Sequence, residues 1–134
     1  MKKIIINTDG GSRNNPGPAG IGVVISDESG TVLETYKEYI GEETNNVAEY
    51  RALIMGLHRA KKHHPDEIEC RLDSELVVKQ VKGEYKAKDL AMKALLDEVR
   101  QLVFFKPVTF VHVKREKNKL ADKLVNEALD EAGF

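Results

Sequence analysis

The sequence predicts an α/β fold built on one mixed five-stranded sheet with helices on both faces. Three segments rich in β-branched and alternating residues open the chain, and helical segments with a 3.6-residue period follow around two further strands. A leading run of strands joined by short turns favours antiparallel pairing, and strands separated by helices favour parallel pairing. The predicted order is β-β-β-α-β-α-α-β-α, with strands one to three antiparallel and the later strands parallel.

The first half of the chain supplies three strands and a long helix. The predicted strands span 2–9, 20–26 and 31–40, a Gly/Asn/Pro-rich loop spans 10–19, and a turn at 27–30 closes a hairpin. Thr44 or Asn45 can cap the helix that follows, because short polar side chains accept hydrogen bonds from the first turn. This helix runs to about His63, with Pro65 just beyond it.

The second half alternates strands with helices. Segment 67–73 has the two-residue alternation of a half-buried strand, with Ile68, Cys70 and Leu72 on one face. A short helix over 74–82 ends at Gly83, a residue suited to the left-handed conformation that terminates helices. The remaining predicted elements are a helix at 89–104, a strand at 107–113 that packs His112, and a helix at 118–132.

Length and composition predict one globular domain, 1–134. Hydrophobic residues make up 41% of the 134 residues and charged residues 32%. The apolar runs are far too short to cross a bilayer, and segment 1–7 does not have the length of a signal peptide, so we expect the cytoplasm. A single cysteine, Cys70, excludes an intramolecular disulfide and a zinc site built from cysteines.

Positive charge is concentrated in two segments, although the net charge of the chain is −1. Segments 79–93 and 114–123 each carry five cations against two acids, a net +3. Clustered cations of this kind can follow a phosphate backbone. Charge alone, however, favours the simpler interpretation of two solvated helix faces.

Four carboxylates stand near the ends of predicted elements: Asp9, Glu49, Asp73 and Asp122. Asp9 ends the first strand and Asp73 the fourth, so adjacent parallel strands would place them side by side. Glu49 shares a helical face with Leu53 and points towards the sheet, and Asp122 flanks the inward stripe of the last helix. Pairing with lysine or arginine is the alternative for any single acid, and convergence of all four weakens it.

Converging carboxylates repel one another and hold protons unless a divalent cation neutralises them. Mg²⁺ suits such a site because it prefers oxygen ligands and keeps waters and substrate phosphates as further ligands. Two ions roughly 4 Å apart can activate a water and stabilise the leaving oxygen of a phosphodiester displacement. His63 and His64 lie at a helix end without zinc-like spacing beside an acid, which indicates a solvated turn.

Four motifs resemble those of the ribonuclease HI family, in the same order and over nearly the whole chain. They are Asp9-Gly10-Gly11-Ser12 with Asn15-Pro16-Gly17-Pro18-Ala19-Gly20, then Thr44-Asn45-Asn46-x-x-Glu49, then Leu72-Asp73-Ser74, and His112-Val113-x-Arg115-Glu116-x-Asn118-x-x-Ala121-Asp122-x-Leu124-x-Asn126. Jointly these motifs are highly specific, whereas Asp-Gly-Gly-Ser alone would be weak. The resemblance implies a ribonuclease H-like fold of the compact subgroup that lacks a basic protrusion.

The resemblance also implies an endoribonuclease that cuts the RNA strand of RNA–DNA hybrids and leaves 5′-phosphate and 3′-hydroxyl ends. It implies that the four carboxylates bind two Mg²⁺ or Mn²⁺ ions and carry the hydrolysis. The substrate-binding residues that it implies are Gly10, Ser12, Asn15, Asn45, Asn46 and Ser74. The asparagines would contact 2′-hydroxyls and base edges in the wide RNA minor groove, while helix capping and a turn role stay open as alternatives. Double-stranded RNA is a second candidate partner, and a monomer is the expected state.

The chain departs from the best-known bacterial form of the family at three places. Segment 83–89 is too short for an extra basic helix, so we expect duplex binding to depend on Lys86, Lys88 and their neighbours. Glu75 stands where many members carry a glutamine that touches nucleic acid. Arg115 stands where some members carry a mobile histidine, and the resemblance to the compact subgroup implies that it assists catalysis near the metals.

Two other functions are alternatives to this one. Exonucleases of the same fold usually show Asp-x-Glu on the first strand, which Thr8-Asp9-Gly10 lacks, and DNA-strand transferases carry additional domains for which the chain has no room. A module that binds hybrid or double-stranded RNA without cutting it is the alternative from another class. The presence of all four acids argues against that module.

Overall fold

A computed structural model describes residues 2–104 and 106–134 of the chain. Met1, the first residue of the segment that the signal-peptide prediction concerns, lies outside them. The strands are β1 (Lys3–Ser12), β2 (Gly17–Asp27), β3 (Val32–Glu43), β4 (Glu67–Leu72) and β5 (Val108–His112). The helices are α1 (Asn45–Ala60), α2 (Glu75–Val81), α3 (Leu90–Leu102) and α4 (Lys119–Glu131), with 3-10 turns at Lys61–His63 and Arg115–Lys117.

The strands form one mixed sheet in the order β3-β2-β1-β4-β5. Strands β1, β2 and β3 pair antiparallel, while β4 pairs parallel with β1 and β5 pairs parallel with β4. The predicted fold class is confirmed, including the adjacency of the first and fourth strands. The central position of β1 is important for the site, because this strand is held by hydrogen bonds on both sides.

Strand β1 continues beyond the predicted end at Asp9. Its parallel pairing with β4 stops at Thr8 opposite Leu72, but its antiparallel pairing with β2 continues to Ser12 opposite Ala19. The prediction that Asp9 ends the strand is therefore wrong, since β2 reaches further along β1 than β4 does. Asp9 is instead the first residue beyond the parallel pairing.

Short polar side chains begin the helices where the sequence predicts them. Thr44 Oγ1 accepts a hydrogen bond from the Val47 N–H at 3.2 Å at the start of α1, and Ser74 Oγ accepts one from the Val77 N–H at 3.3 Å at the start of α2. Gly83, with φ +83°, follows the end of α2 as expected. The two caps fix the start of α1, which carries Glu49, and the start of α2, which closely follows Asp73.

Helices cover both faces of the sheet. Helices α1 and α3 pack on one face, where Ile4, Ile6, Leu53 and Leu57 are fully buried. Burial of each such side chain contributes about 1.5–3 kcal/mol, which makes this face the main core. Helix α4 packs on the other face, and a side chain at Gly22 would overlap its backbone at Ala121.

Two further expectations concern packing and membranes. His112 is exposed rather than packed, and it lies on β5, the edge strand of the sheet. Within residues 2–104 and 106–134, no helix combines the length and the apolar character that a membrane span requires.

Candidate active site

An open cleft of about 470 Å³ lies at the edge of the sheet where β1 and β4 diverge. Its lining is predominantly polar and comes from β1, the start of α1, the β4–α2 junction, the turn before α4, and α4 itself. The lining residues are Asp9, Gly10, Gly11, Ser12, Arg13, Asn45, Asn46, Glu49, Asp73, Ser74, Arg115, Asp122, Val125, Asn126 and Leu129.

The sheet places two of the predicted carboxylates in this cleft. Asp9 and Asp73 each follow the last parallel pair between β1 and β4, which joins Thr8 to Leu72. The strands separate beyond this pair, so both side chains stand at the carboxyl ends of adjacent parallel strands, where sites gather in α/β sheets. Asp9 is 7% exposed, whereas Asp73 is half-buried.

Gly10 brings the third carboxylate to the other two. A side chain at this position would overlap the backbone of Ala48, so only glycine lets β1 approach the first turn of α1 this closely. The Gly10 N–H then donates a hydrogen bond to Glu49 Oε1 at 3.1 Å. Glu49 is 7% exposed, and its other oxygen, Oε2, is buried with no hydrogen-bond partner among the described residues.

Asp9, Glu49 and Asp73 each offer an oxygen to a cluster in which these atoms lie within 4.8 Å of one another. None of the three forms an ion pair with a lysine or arginine in the described part of the chain. Burial raises the pKa of Asp9 far above its usual range, and the charges of Glu49 and Asp73 raise it further. Burial also raises the pKa of Glu49, against the effect of its hydrogen bond with Asp9.

Asp122 lines the same cleft from the first turn of α4. Its carboxylate is within hydrogen-bond reach of Asp9, where it contributes to the raised pKa of that residue. Arg115 Nη2 lies 3.7 Å from Asp122 Oδ1, and the arginine side chain is 80% exposed. This distance and exposure make a loose ion pair, which leaves the arginine able to move towards an anion in the cleft.

The asparagines form a hydrogen-bonded rim beside the cluster. Asn45 Oδ1 accepts hydrogen bonds from the Ser12 N–H at 2.8 Å and from Ser12 Oγ at 3.1 Å. The Asn45 N–H in turn donates to Asn15 Oδ1 at 3.0 Å. Thr44, not Asn45, caps α1, so the side chain of Asn45 is not used for capping.

The cleft contains every predicted site residue except Asn15, which is exposed beside it and accepts a hydrogen bond from the Asn45 N–H. The cleft is also lined by Arg13, Val125 and Leu129, which the sequence did not predict as site residues. Asn126 lines it too, and the sequence shows this residue only as part of a motif. Asn126 follows Asp122 by one helical turn, a spacing that could have identified it. Arg13 carries no such signal, because its position results from an ion pair with Asp130 across the fold at 2.8 Å.

The cluster fits a hard divalent cation better than any other group. All of its donors are carboxylate oxygens, the ligands that Mg²⁺ and Mn²⁺ prefer. A buried oxygen without a partner, Glu49 Oε2, is costly unless something binds it, and mutual repulsion among the acids adds to that cost. A divalent cation would relieve both.

The chain is similar to known proteins over nearly all of its length. A family model described as "Reverse transcriptase-like" matches residues 7–128. A bifunctional protein of Mycobacterium tuberculosis is 44% identical over 132 residues, which are 97% of this chain and 36% of that protein. The ribonuclease H of Clostridium botulinum is 30% identical over 98% of both chains. The chain thus spans about a third of the mycobacterial protein and almost all of the clostridial one.

The fold has a close counterpart among solved structures. The crystal structure of LC11-RNase H1 in complex with an RNA/DNA hybrid superposes with a TM-score of 0.92 at 50% sequence identity. The match covers 96% of this chain and 98% of that one.

Proposed function

The chain belongs to the ribonuclease H family of nucleases, and we propose that it is an endoribonuclease that hydrolyses the RNA strand of RNA–DNA hybrids. The products would carry 5′-phosphate and 3′-hydroxyl ends. The observation that supports this proposal most strongly is the cluster of Asp9, Glu49 and Asp73 with its unpartnered buried oxygen. LC11-RNase H1, with its bound hybrid, supports the same substrate for this chain.

Asp9, Glu49, Asp73 and Asp122 would hold two divalent cations, Mg²⁺ or in its place Mn²⁺. Such ions supply an activated water and charge stabilisation for the leaving oxygen of an in-line phosphodiester displacement. The role of the protein is to hold four carboxylates ready on three rigid elements and a strand end, so that little rearrangement is needed. The hydrogen bond from the Gly10 N–H fixes one oxygen of Glu49 and leaves the other available as a ligand.

The rim of asparagines would bind the minor groove of the hybrid. Because Ser12 occupies the side-chain oxygen of Asn45, the amide nitrogen of Asn45 is the group left to donate to a base edge or a 2′-hydroxyl. Asn15 is exposed and bonded to the Asn45 N–H, and Asn46 lines the same cleft, so both would contact the minor groove beside Asn45. Gly10, Ser12 and Ser74 line the cleft and would contact the sugar-phosphate backbone.

Arg115 and the lysines after α2 would act on phosphates. Arg115 is exposed and only loosely paired with Asp122, so it can turn to the scissile phosphate or assist product release. Lys86 and Lys88 are basic residues of the loop between α2 and α3, where they would contact a duplex that extends beyond the cleft.

Labelled substrates test the proposal directly. The chain is incubated with a matched RNA–DNA hybrid, duplex RNA, duplex DNA and a duplex containing a single ribonucleotide, each with Mg²⁺ and with EDTA. We expect internal cleavage of the RNA strand of the hybrid with Mg²⁺ only, and fragments that carry 5′-phosphates. Binding of the hybrid without cleavage would favour the non-catalytic module, and cleavage from one end would favour an exonuclease.

A further inference from the structure

Asn118 is a buried amide at the junction between the Arg115–Lys117 turn and α4, and only 2% of its surface is exposed. The sequence predicts a helix over 118–132, and in the structure Asn118 precedes the first residue of α4. The structure shows no side-chain capping bond at this end of α4. The amide of Asn118 is used elsewhere.

The side chain of Asn118 connects α4 to β1. Its Nδ2 donates to the carbonyl oxygen of Thr8 at 2.9 Å, and its Oδ1 accepts from Nδ2 of Asn7 at 3.1 Å. Both partners directly precede Asp9 on the strand. The bond to Thr8 is buried, and in such surroundings a lost amide partner leaves a carbonyl unsatisfied.

The backbone of Asn118 forms hydrogen bonds with Arg115 and Asp122, two residues that line the cleft. Its N–H donates to the carbonyl oxygen of Arg115 at 2.9 Å, and its carbonyl accepts from the N–H of Asp122 at 3.1 Å. One residue thus joins the strand of Asp9 to both Arg115 and Asp122. Strand β1 is already fixed by β2 and β4, so these bonds determine where the start of α4 lies, not where β1 lies.

We propose that Asn118 is a positioning residue that sets the place of Asp122 relative to Asp9, Glu49 and Asp73. The proposal rests on the proposed function, because Asp122 is important only if the four carboxylates act together on divalent cations. Asp122 is the acid that most needs such a device. It lies outside the tight cluster of the other three, on the helix whose start Asn118 holds.

Kinetics of Asn118→Ala give the first measurement. A displacement of Asp122 by about 1 Å is expected to lower kcat for the hybrid by tenfold to a hundredfold at saturating Mg²⁺. KM for the hybrid should change less than about threefold, because the asparagine rim is on other elements. A variant that loses kcat only in proportion to its unfolded fraction would contradict the proposal.

Binding of Mn²⁺, measured by calorimetry without substrate, gives a readout apart from activity. Four proteins form a cycle: the unchanged chain, Asn118→Ala, Asp122→Asn and the double variant. We expect Asn118→Ala to weaken Mn²⁺ binding severalfold in the unchanged chain and to have no further effect once Asp122 is replaced. Equal weakening in both backgrounds, or none in either, would overturn the proposal.

Two variants separate positioning from loss of stability. Gln80→Ala removes another buried amide, the acceptor of a 2.6 Å hydrogen bond from the Tyr50 hydroxyl, and should lower Tm without the loss of kcat or of Mn²⁺ affinity. Asn7→Ala removes one of the two side-chain hydrogen bonds of Asn118 and should give an intermediate loss of kcat. This variant takes the place of Asn118→Ala in the test if Asn118→Ala does not fold. No loss in a folded Asn7→Ala protein, when Asn118→Ala is unfolded, would count against positioning. If the unchanged chain cuts no hybrid, the proposed function fails, while the Mn²⁺ cycle still tests Asn118.

Discussion

Two acidic side chains of the same sheet have opposite surroundings. Asp9 on β1 has carboxylates as neighbours and no ion pair among the described residues, and its pKa is raised by burial and by those charges. Glu34 on β3 has Lys62 Nζ at 3.0 Å and His63 Nε2 at 2.9 Å from its oxygen, with Arg59 on the other side.

The two pKa shifts point in opposite directions for a physical reason. Burial alone would raise the pKa of Glu34 as well, but hydrogen bonds from His63, Lys62 and Arg59 lower it to about 2. Glu34 thus has its cations within the protein, and its contacts join β3 to the end of α1. Asp9 lacks them, which is why we propose that divalent cations from solution neutralise it. An acidic side chain without a cation partner in the protein, which we call uncompensated, indicates the functional site better than the presence of an acidic residue alone.

Replacing one carboxylate in the cleft and, separately, Glu34 on β3 should give the largest difference in cleavage rate between the two regions. Asp9→Asn or Asp73→Asn is expected to lower the cleavage rate by about a thousandfold or more, because either change removes a metal ligand. Binding of the hybrid should be retained, and Tm in EDTA should not fall, since the change relieves repulsion. Glu34→Gln is the matched control and should cut at the normal rate. Equal rates for Asp9→Asn and Glu34→Gln would remove the distinction between the two regions.

Glu34→Gln should instead reduce stability. The change leaves Arg59, Lys62 and His63 without their anion, and we expect a loss of about 1–3 kcal/mol in the free energy of unfolding. Urea denaturation in EDTA measures it, with Glu28→Gln on the exposed β2–β3 turn as the control. An unchanged unfolding midpoint would mean that the Glu34 contacts contribute little.

Lowering the pH should remove the stabilising effect of Glu34. Glu34 has a pKa lowered from 4.5 to about 2 in the folded protein, so its contribution to stability is complete above about pH 4.5 and is lost as pH falls towards 2. The difference in unfolding free energy between the unchanged chain and Glu34→Gln should therefore shrink over this range. A difference that stays constant from pH 6 to pH 2.5 would contradict the assigned pKa.

Arg115 forms an ion pair with an acid of the cleft, Asp122, and its removal should have a smaller effect. Arg115→Ala is expected to lower turnover of the hybrid by about tenfold, because the arginine is exposed and only loosely bound to Asp122. Lys114→Ala removes a neighbouring exposed cation and should not change kcat. Unchanged turnover in Arg115→Ala would exclude a catalytic role.

Local signals in the sequence predicted much of the fold. Thr44, Ser74 and Asp89 begin helices as expected, because a short polar side chain before an apolar periodic segment has one strongly favoured use. The convergence of Asp9 and Asp73 followed from the inferred parallel pairing, which the structure confirms.

Features that depend on contacts across the fold could not be predicted. The extension of β1 to Ser12 depends on the reach of β2, and the exposure of His112 on the edge position of β5. The sequence places Asn118 at the start of the last helix, and only its contact with β1 shows what its side chain does. The Glu34 ion pairs likewise join segments about 25 residues apart without any motif.

Direct measurement of Mg²⁺ binding tests the central claim that the acids of the cleft are uncompensated because they hold cations. Calorimetric titration of the unchanged chain, Glu49→Gln and Glu34→Gln is sufficient. Glu49→Gln should bind Mg²⁺ at least about tenfold more weakly, since one ligand oxygen is lost, and Glu34→Gln should bind like the unchanged chain. Indistinguishable Mg²⁺ affinity in all three proteins would contradict the claim.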